Sequence, residues 1–183
     1  IIAHFYLLIR FKSKHTLNCN TQWQGRNQVC GLAYNKNVHQ SYATMTIQEI
    51  KKEFFAMRNG MLGDTLRKAG MPYAVIFGLN IPQLGEIARR AQEDTAERDA
   101  LARELWADTK VRESRLLACW LFNPQTLGTD EAKEMMASVQ TREEADILAF
   151  RLLRRLPYAA DLASEVPDTY AREALLRNLA ALA

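Results

Sequence analysis

Three stretches of the chain set apolar residues in one helical register. Counted from Thr109, Thr141 and Asp168, positions 7 and 8 are Leu116/Leu117, Leu148/Ala149 and Leu175/Leu176. Positions 11 and 12 are Trp120/Leu121, Leu152/Leu153 and Leu179/Ala180. All are apolar, and this spacing is a single stripe along an α-helix. A stripe that returns at intervals of about 30 residues predicts a stacked helical repeat, each unit burying its face against its neighbours. The concave side of such an array is where function is expected.

The punctuation from Met45 onward is helical. Thr46 and Glu49 form a capping box that opens a helix from Ile47 to about Arg58, with Asn59-Gly60 as its stop. A short helix from Met61 to Ala69 ends at Gly70. Residues Tyr73–Leu79 are apolar enough for a strand, but no partner strand is evident, so they read as a buried connection. Asn80 caps a helix with Pro82 in its first turn, reaching Gln92. Further helices open at Thr95, Thr109, Thr129, at a second capping box of Thr141 and Glu144, at Tyr158, and after Pro167-Asp168. Connections of two to six residues predict antiparallel neighbours. The expected fold is all-α, a HEAT-like α-solenoid of antiparallel helix pairs over residues 45–183.

Composition divides the chain. The net charge of +3 comes from residues 1–44, which hold five basic residues and no acid; residues 45–183 carry a net of −2. The same opening stretch holds His4, His15 and His39, and Cys19 and Cys30, but no methionine before Met45. It reads as an extension of uncertain origin, disordered or not native to the domain. Its cysteines and histidines lack the close Cys-x-x-Cys pair of a zinc site. Cys119 falls within a helix and reads as a buried, reduced thiol, so no oxidising compartment is implied and a cytoplasmic location is expected. No apolar run approaches the roughly 18 residues of a membrane span, so no membrane partner is expected.

Strong catalytic motifs are absent: no Gly-rich phosphate loop, no His-Glu-x-x-His, no nucleophile elbow, and no histidine after residue 44. The sequence calls for no metal ion and no cofactor. Carboxylates, arginines and aromatics must carry any function. Helical geometry puts offsets 1 and 5 on the border between stripe and solvent. Offset 5 is Ser114, Asp146 and Glu173; offset 1 is Lys110, Arg142 and Thr169. These residues rim one side of the repeat. Trp106 and Trp120 lie on apolar faces and read as core. Arg151, Arg154 and Arg155 point away from the stripe, as a solvated face or as phosphate contacts.

The segment Met71-Pro72-Tyr73 through Ile81-Pro82-Gln83-Leu84, followed by Glu104-Leu105-Trp106 through Leu116-Leu117-Ala118, resembles the AlkD-type DNA alkylation repair family of HEAT-like repeat proteins. The likeness covers roughly residues 45–183. It implies duplex DNA as partner and, in active members, removal of cationic alkylated purines without base flipping. It also implies an aromatic residue, an aspartate four positions later on the same helix face, and an arginine on the following repeat. The aspartate falls on Asp146, the candidate catalytic residue. The aromatic falls on Arg142, and the arginine falls near Glu173 with Arg172 beside it. Lys110, Arg142 and Arg172 are therefore the candidate DNA contacts. An arginine in the aromatic position repels a cationic base that a ring would attract, which puts glycosylase activity in doubt. Spaced i, i+4, Arg142 and Asp146 are expected to pair as a solvated helix salt bridge. The alternative function is a non-catalytic repeat scaffold that holds a protein partner in its groove.

Overall fold

The structure is a computed structural model and describes residues 45–91 and 95–182. The extension expected at residues 1–44 lies outside the described residues. Residues 45–183 fall within one compact unit, Ser41–Ala183.

Helix α1 spans Ile47–Ala56 and begins at the capping box expected of Thr46 and Glu49: the Glu49 amide donates to the Thr46 hydroxyl at 3.3 Å, and the Thr46 amide donates to the Glu49 carboxylate at 2.7 Å. Helix α2, Gly60–Lys68, starts one residue earlier than the pattern suggested. Asn59 is its N-cap, accepting from the Leu62 amide, so Asn59-Gly60 opens this helix and does not merely close α1. Helix α3, Ile81–Arg90, carries the second complete box, Asn80 with Gln83, and Pro82 in its first turn. Then follow α4 (Thr95–Ala107), α5 (Arg112–Leu121), α6 (Thr129–Ala137), α7 (Arg142–Arg151), a 3-10 turn (Leu153–Arg155), α8 (Ala159–Glu165) and α9 (Tyr170–Ala180). Among the described residues there is no strand, only one isolated parallel bridge between Val75 and Val111. The all-α reading holds.

Two expected caps and one capping box are corrected. Thr109 does not open α5; Val111 precedes its first residue, because Lys110 O and Arg112 N are bound to Val75 and keep the chain extended there. Thr169, not Asp168, caps α9 and accepts from the Arg172 amide. Thr141 caps α7, but the reciprocal half of that box is missing: the Glu144 carboxylate is drawn inward to other donors.

Helix α5 packs against both α3 and α7, and α7 against α9, while α4 lies on α5 and α8 on α9. The apolar stripe lies within this packing. Leu116, Leu117, Leu121, Leu148, Ala149, Leu152, Leu153 and Leu175 are all fully buried. Leu176 departs from the register and is 42% exposed, and Ala180 is exposed as well, because α9 turns Ala171, Ala174 and Leu175 toward α7 and no described helix covers its other side. The connection 71–80 threads tightly past α2. Gly78 has φ +79°, and a Cβ there would stand 2.2 Å from Asn59 O, so only glycine fits this crossing.

Candidate functional site

Two layers of charged residues are built on α5, α7 and α9. The inner layer fixes the helices. Glu113 is fully buried and accepts from the backbone amides of Phe77 and Gly78, both at 3.0 Å, and from Arg112 at 2.8 Å. Arg112, itself 3% exposed, also donates to Leu79 O and forks onto Glu143 of α7. Arg115 lies over the Trp106 ring, its guanidinium carbon 3.4 Å from the ring centroid, and donates to Trp106 O, Ser138 O and Glu144. Glu144 is fully buried and takes two further donors, the Tyr73 hydroxyl and the Gln140 amide, each at 2.9 Å. Burial, and then the charge of Glu144, hold the Tyr73 phenol protonated well above its ordinary range. Thus the connection 71–80, α5 and the first turn of α7 are joined through buried charge.

This layer was not expected from sequence. Acids in the first turn of a helix read as caps or dipole partners, and the guanidiniums they bind lie about 30 residues away. The one signal is the polar run Arg112-Glu113-Ser114-Arg115, which offers no alternation between an exposed and a buried face. Ser114, placed on the rim by its register, is in fact fully buried and donates to Asp108. Trp106 and Trp120 pack against the core as expected, but each also carries a guanidinium on its ring. Cys119 is buried and free, as expected, and burial raises its thiol.

The outer layer is the rim of α7 and α9. Because Glu143 and Glu144 are held inward, Arg142 and Asp146 face outward one turn apart. They do not pair with each other, contrary to expectation. Arg142 reaches across to Glu173 at 3.7 Å and lies over the Tyr170 ring at 4.5 Å. Asp146 accepts from Arg177 at 2.6 Å. Partners on the neighbouring helix reach both side chains, and the cluster closes into two crossed ion pairs. Each of the four charged side chains is about half exposed or more. Of the other candidates, Lys110 is exposed on the link before α5, with its carbonyl held by Val75. Arg172 is turned away from this cluster: it donates to Ala163 O at 2.8 Å and to Asp168, pinning α8 to α9. The structure therefore brings Arg142 and Asp146 together with Glu173, and leaves Lys110 and Arg172 apart from them. Tyr170 and Arg177 were missed, although both share the α9 face of Glu173 at i−3 and i+4. Among the described residues no group of three His, Cys, Asp or Glu side chains is placed to hold a metal ion, and no helix is long and apolar enough to cross a membrane.

The regular elements of the described residues are all helices, as in a protein of the helical-repeat class. The family model for the DNA alkylation repair enzyme matches residues 50–178, well over half of the chain, and the protein belongs to that family. No curated protein and no solved structure matches it.

Proposed function

We propose that the protein binds duplex DNA along the α5–α7–α9 rim and does not excise alkylated bases. In this reading α3, α5, α7 and α9 line the concave side of an open solenoid, and a cytoplasmic location goes with DNA as the partner. Family membership supports DNA as the ligand. One observation carries the rest: Arg142 occupies the place where the resemblance implies an aromatic wall, and it covers the nearest ring, Tyr170, with its own guanidinium. A π-face attracts a cationic lesion through the ring quadrupole; a ring already topped by a cation does not. Asp146, the group expected to stabilise a cationic sugar, is paired with Arg177, but that exposed pair opens at small cost, so the block lies in the charge of Arg142. Lys110 and Arg142 serve as phosphate contacts; Arg172 contributes charge from the side.

Two measurements test this. Affinity for a duplex should fall steeply between low and moderate salt, because phosphate contacts release counterions. Methylated DNA should release no alkylated purine. No binding at low salt would refute the DNA reading. Efficient excision, abolished by Asp146→Asn, would refute the non-catalytic part. The net charge of −2 over residues 45–183 favours a second reading, a scaffold for a protein partner, in which duplex binding is absent.

A further inference from the structure

Beyond Asp146, the α7 face continues to Phe150 and into the 3-10 turn Leu153–Arg155. Here aromatic rings and guanidiniums alternate. Arg151 lies 4.5 Å from the Trp120 ring and 5.2 Å from the Phe150 ring, and Arg154 covers Phe150 at 3.7 Å. Phe150 is 41% exposed, so its ring face is open to the guanidinium that covers it.

Arg154 differs from most arginines of the surface. Arg67, Arg89, Arg90, Arg103, Arg142 and Arg177 each hold a carboxylate. Among the described residues, none lies within ion-pair distance of Arg154, and neighbouring Arg155 turns back to Arg151 O. The distinction is chemical. A guanidinium paired edge-on with a carboxylate has used its N–H fork. One stacked on a ring is held by its face, and its N–H edge stays free for a bidentate oxyanion. Phe150 also fixes the orientation in advance, so less side-chain freedom is lost on binding.

We propose that Arg154, held on Phe150, is a contact for a phosphodiester of duplex DNA; Phe150 lies one helical turn beyond Asp146 on α7. This rests on the DNA-binding reading above and assigns it a site of its own. Asp146 and Phe150 are i and i+4, about 6 Å apart along the axis. A backbone bound at Arg154 therefore runs past the crossed ion pairs of the rim.

The test uses the full chain and a duplex of arbitrary sequence, titrated from about 50 to 200 mM salt, the range over which phosphate contacts are resolved. Arg154→Ala should weaken binding several-fold and lower the salt slope by about one. Arg154→Lys should keep the slope while losing part of the affinity, since the charge stays but the stacked fork is gone. Arg89→Ala, which breaks only the pair with Glu86, should bind as wild type. Inorganic phosphate at millimolar level and constant ionic strength should not compete. Matching melting curves confirm that the variants fold. If wild type binds steeply and Arg154→Ala is indistinguishable from it, this inference falls and DNA binding stands. If free phosphate displaces the duplex, the site is for a small anion and the inference also falls. If wild type binds no duplex at low salt, both are refuted.

Discussion

Replacing Glu144 by glutamine changes almost nothing in volume and removes one charge, which makes it the sharpest probe of how α7 is held. Glu144 is fully buried, and its carboxylate serves Arg115, the Tyr73 hydroxyl and the Gln140 amide. Arg115 is 1% exposed, shut off from bulk solvent. In the variant, the guanidinium loses its counter-charge, and an amide NH2 replaces one of two acceptor oxygens, with only the Tyr73 hydroxyl among its neighbours able to accept. Breaking a buried pair by removing one partner costs about 3–5 kcal/mol. A domain of this size has roughly 5–15 kcal/mol in total, so a large part of the stability should go. The contrast is Glu131→Gln on α6. Its partner Arg103 forms a two-bond fork with it at 2.7 and 3.0 Å, but the two side chains are 46% and 32% exposed. Water and salt screen that pair, and its loss should cost no more than about 1 kcal/mol.

Urea denaturation followed by helical circular dichroism reads both variants on one scale. Glu144→Gln should move the midpoint strongly at unchanged m-value, and Glu131→Gln hardly at all. Replacing Arg115 and Glu144 together by Met and Leu should recover only part of the loss: no charge is orphaned, but the Tyr73 hydroxyl and the Gln140 amide lose their acceptor. Equal effects of Glu144→Gln and Glu131→Gln would show that Glu144 is solvated, and would remove the buried network as the positioning device for Arg142 and Asp146.

Leu148→Ala, at a fully buried point of the stripe, should cost about 2–5 kcal/mol by the same assay, and an unmoved transition would break the proposed register. The Tyr73 phenol is raised in the folded state by burial and by Glu144, so its contribution is complete below the unfolded value of about 10 and is lost as pH rises through the folded one. The stability difference between wild type and Tyr73→Phe should therefore be flat below about pH 10 and shift against wild type above it; a pH-independent difference would contradict the buried, carboxylate-facing phenol.

The parts legible in the sequence are those decided locally. Thr46 with Glu49, and Asn80 with Pro82 and Gln83, are complete cap signals within four residues, and both helices begin where they indicate. The stripe is legible in α5 and α7, where neighbours cover it on both sides. It fails at Leu176 and Ala180, because the same residue pattern on α9 meets no covering helix among the described residues. The Thr141–Glu144 box fails for a related reason: a buried guanidinium from α5 outcompetes the local backbone amide for the carboxylate. Arg142 and Asp146 were correctly placed together on an outward face. Their partners were not legible, since i, i+4 spacing predicts a bond within α7, and only the packing of α9 beside it brings Glu173 and Arg177 within reach.

On the proposed reading, the sign of the charge at Arg142 stops chemistry at the rim, whereas the closure of the two ion pairs does not. Exposed pairs of this kind contribute about 0–1 kcal/mol each, so an incoming phosphate or cation would open them at small cost. A cationic base brought to about 4 Å from the Arg142 guanidinium meets a repulsion near 4 kcal/mol at an effective dielectric of about 20. Swinging Arg142 aside relieves part of that, but the displaced guanidinium must then find another anion, and the one that DNA supplies is its own backbone. The exchange of Glu173 for a phosphate therefore draws Arg142 out of the rim and toward the strand. On the proposed reading, the charge that lets the cluster grip a duplex is the same charge that disfavours a cationic lesion beside Asp146.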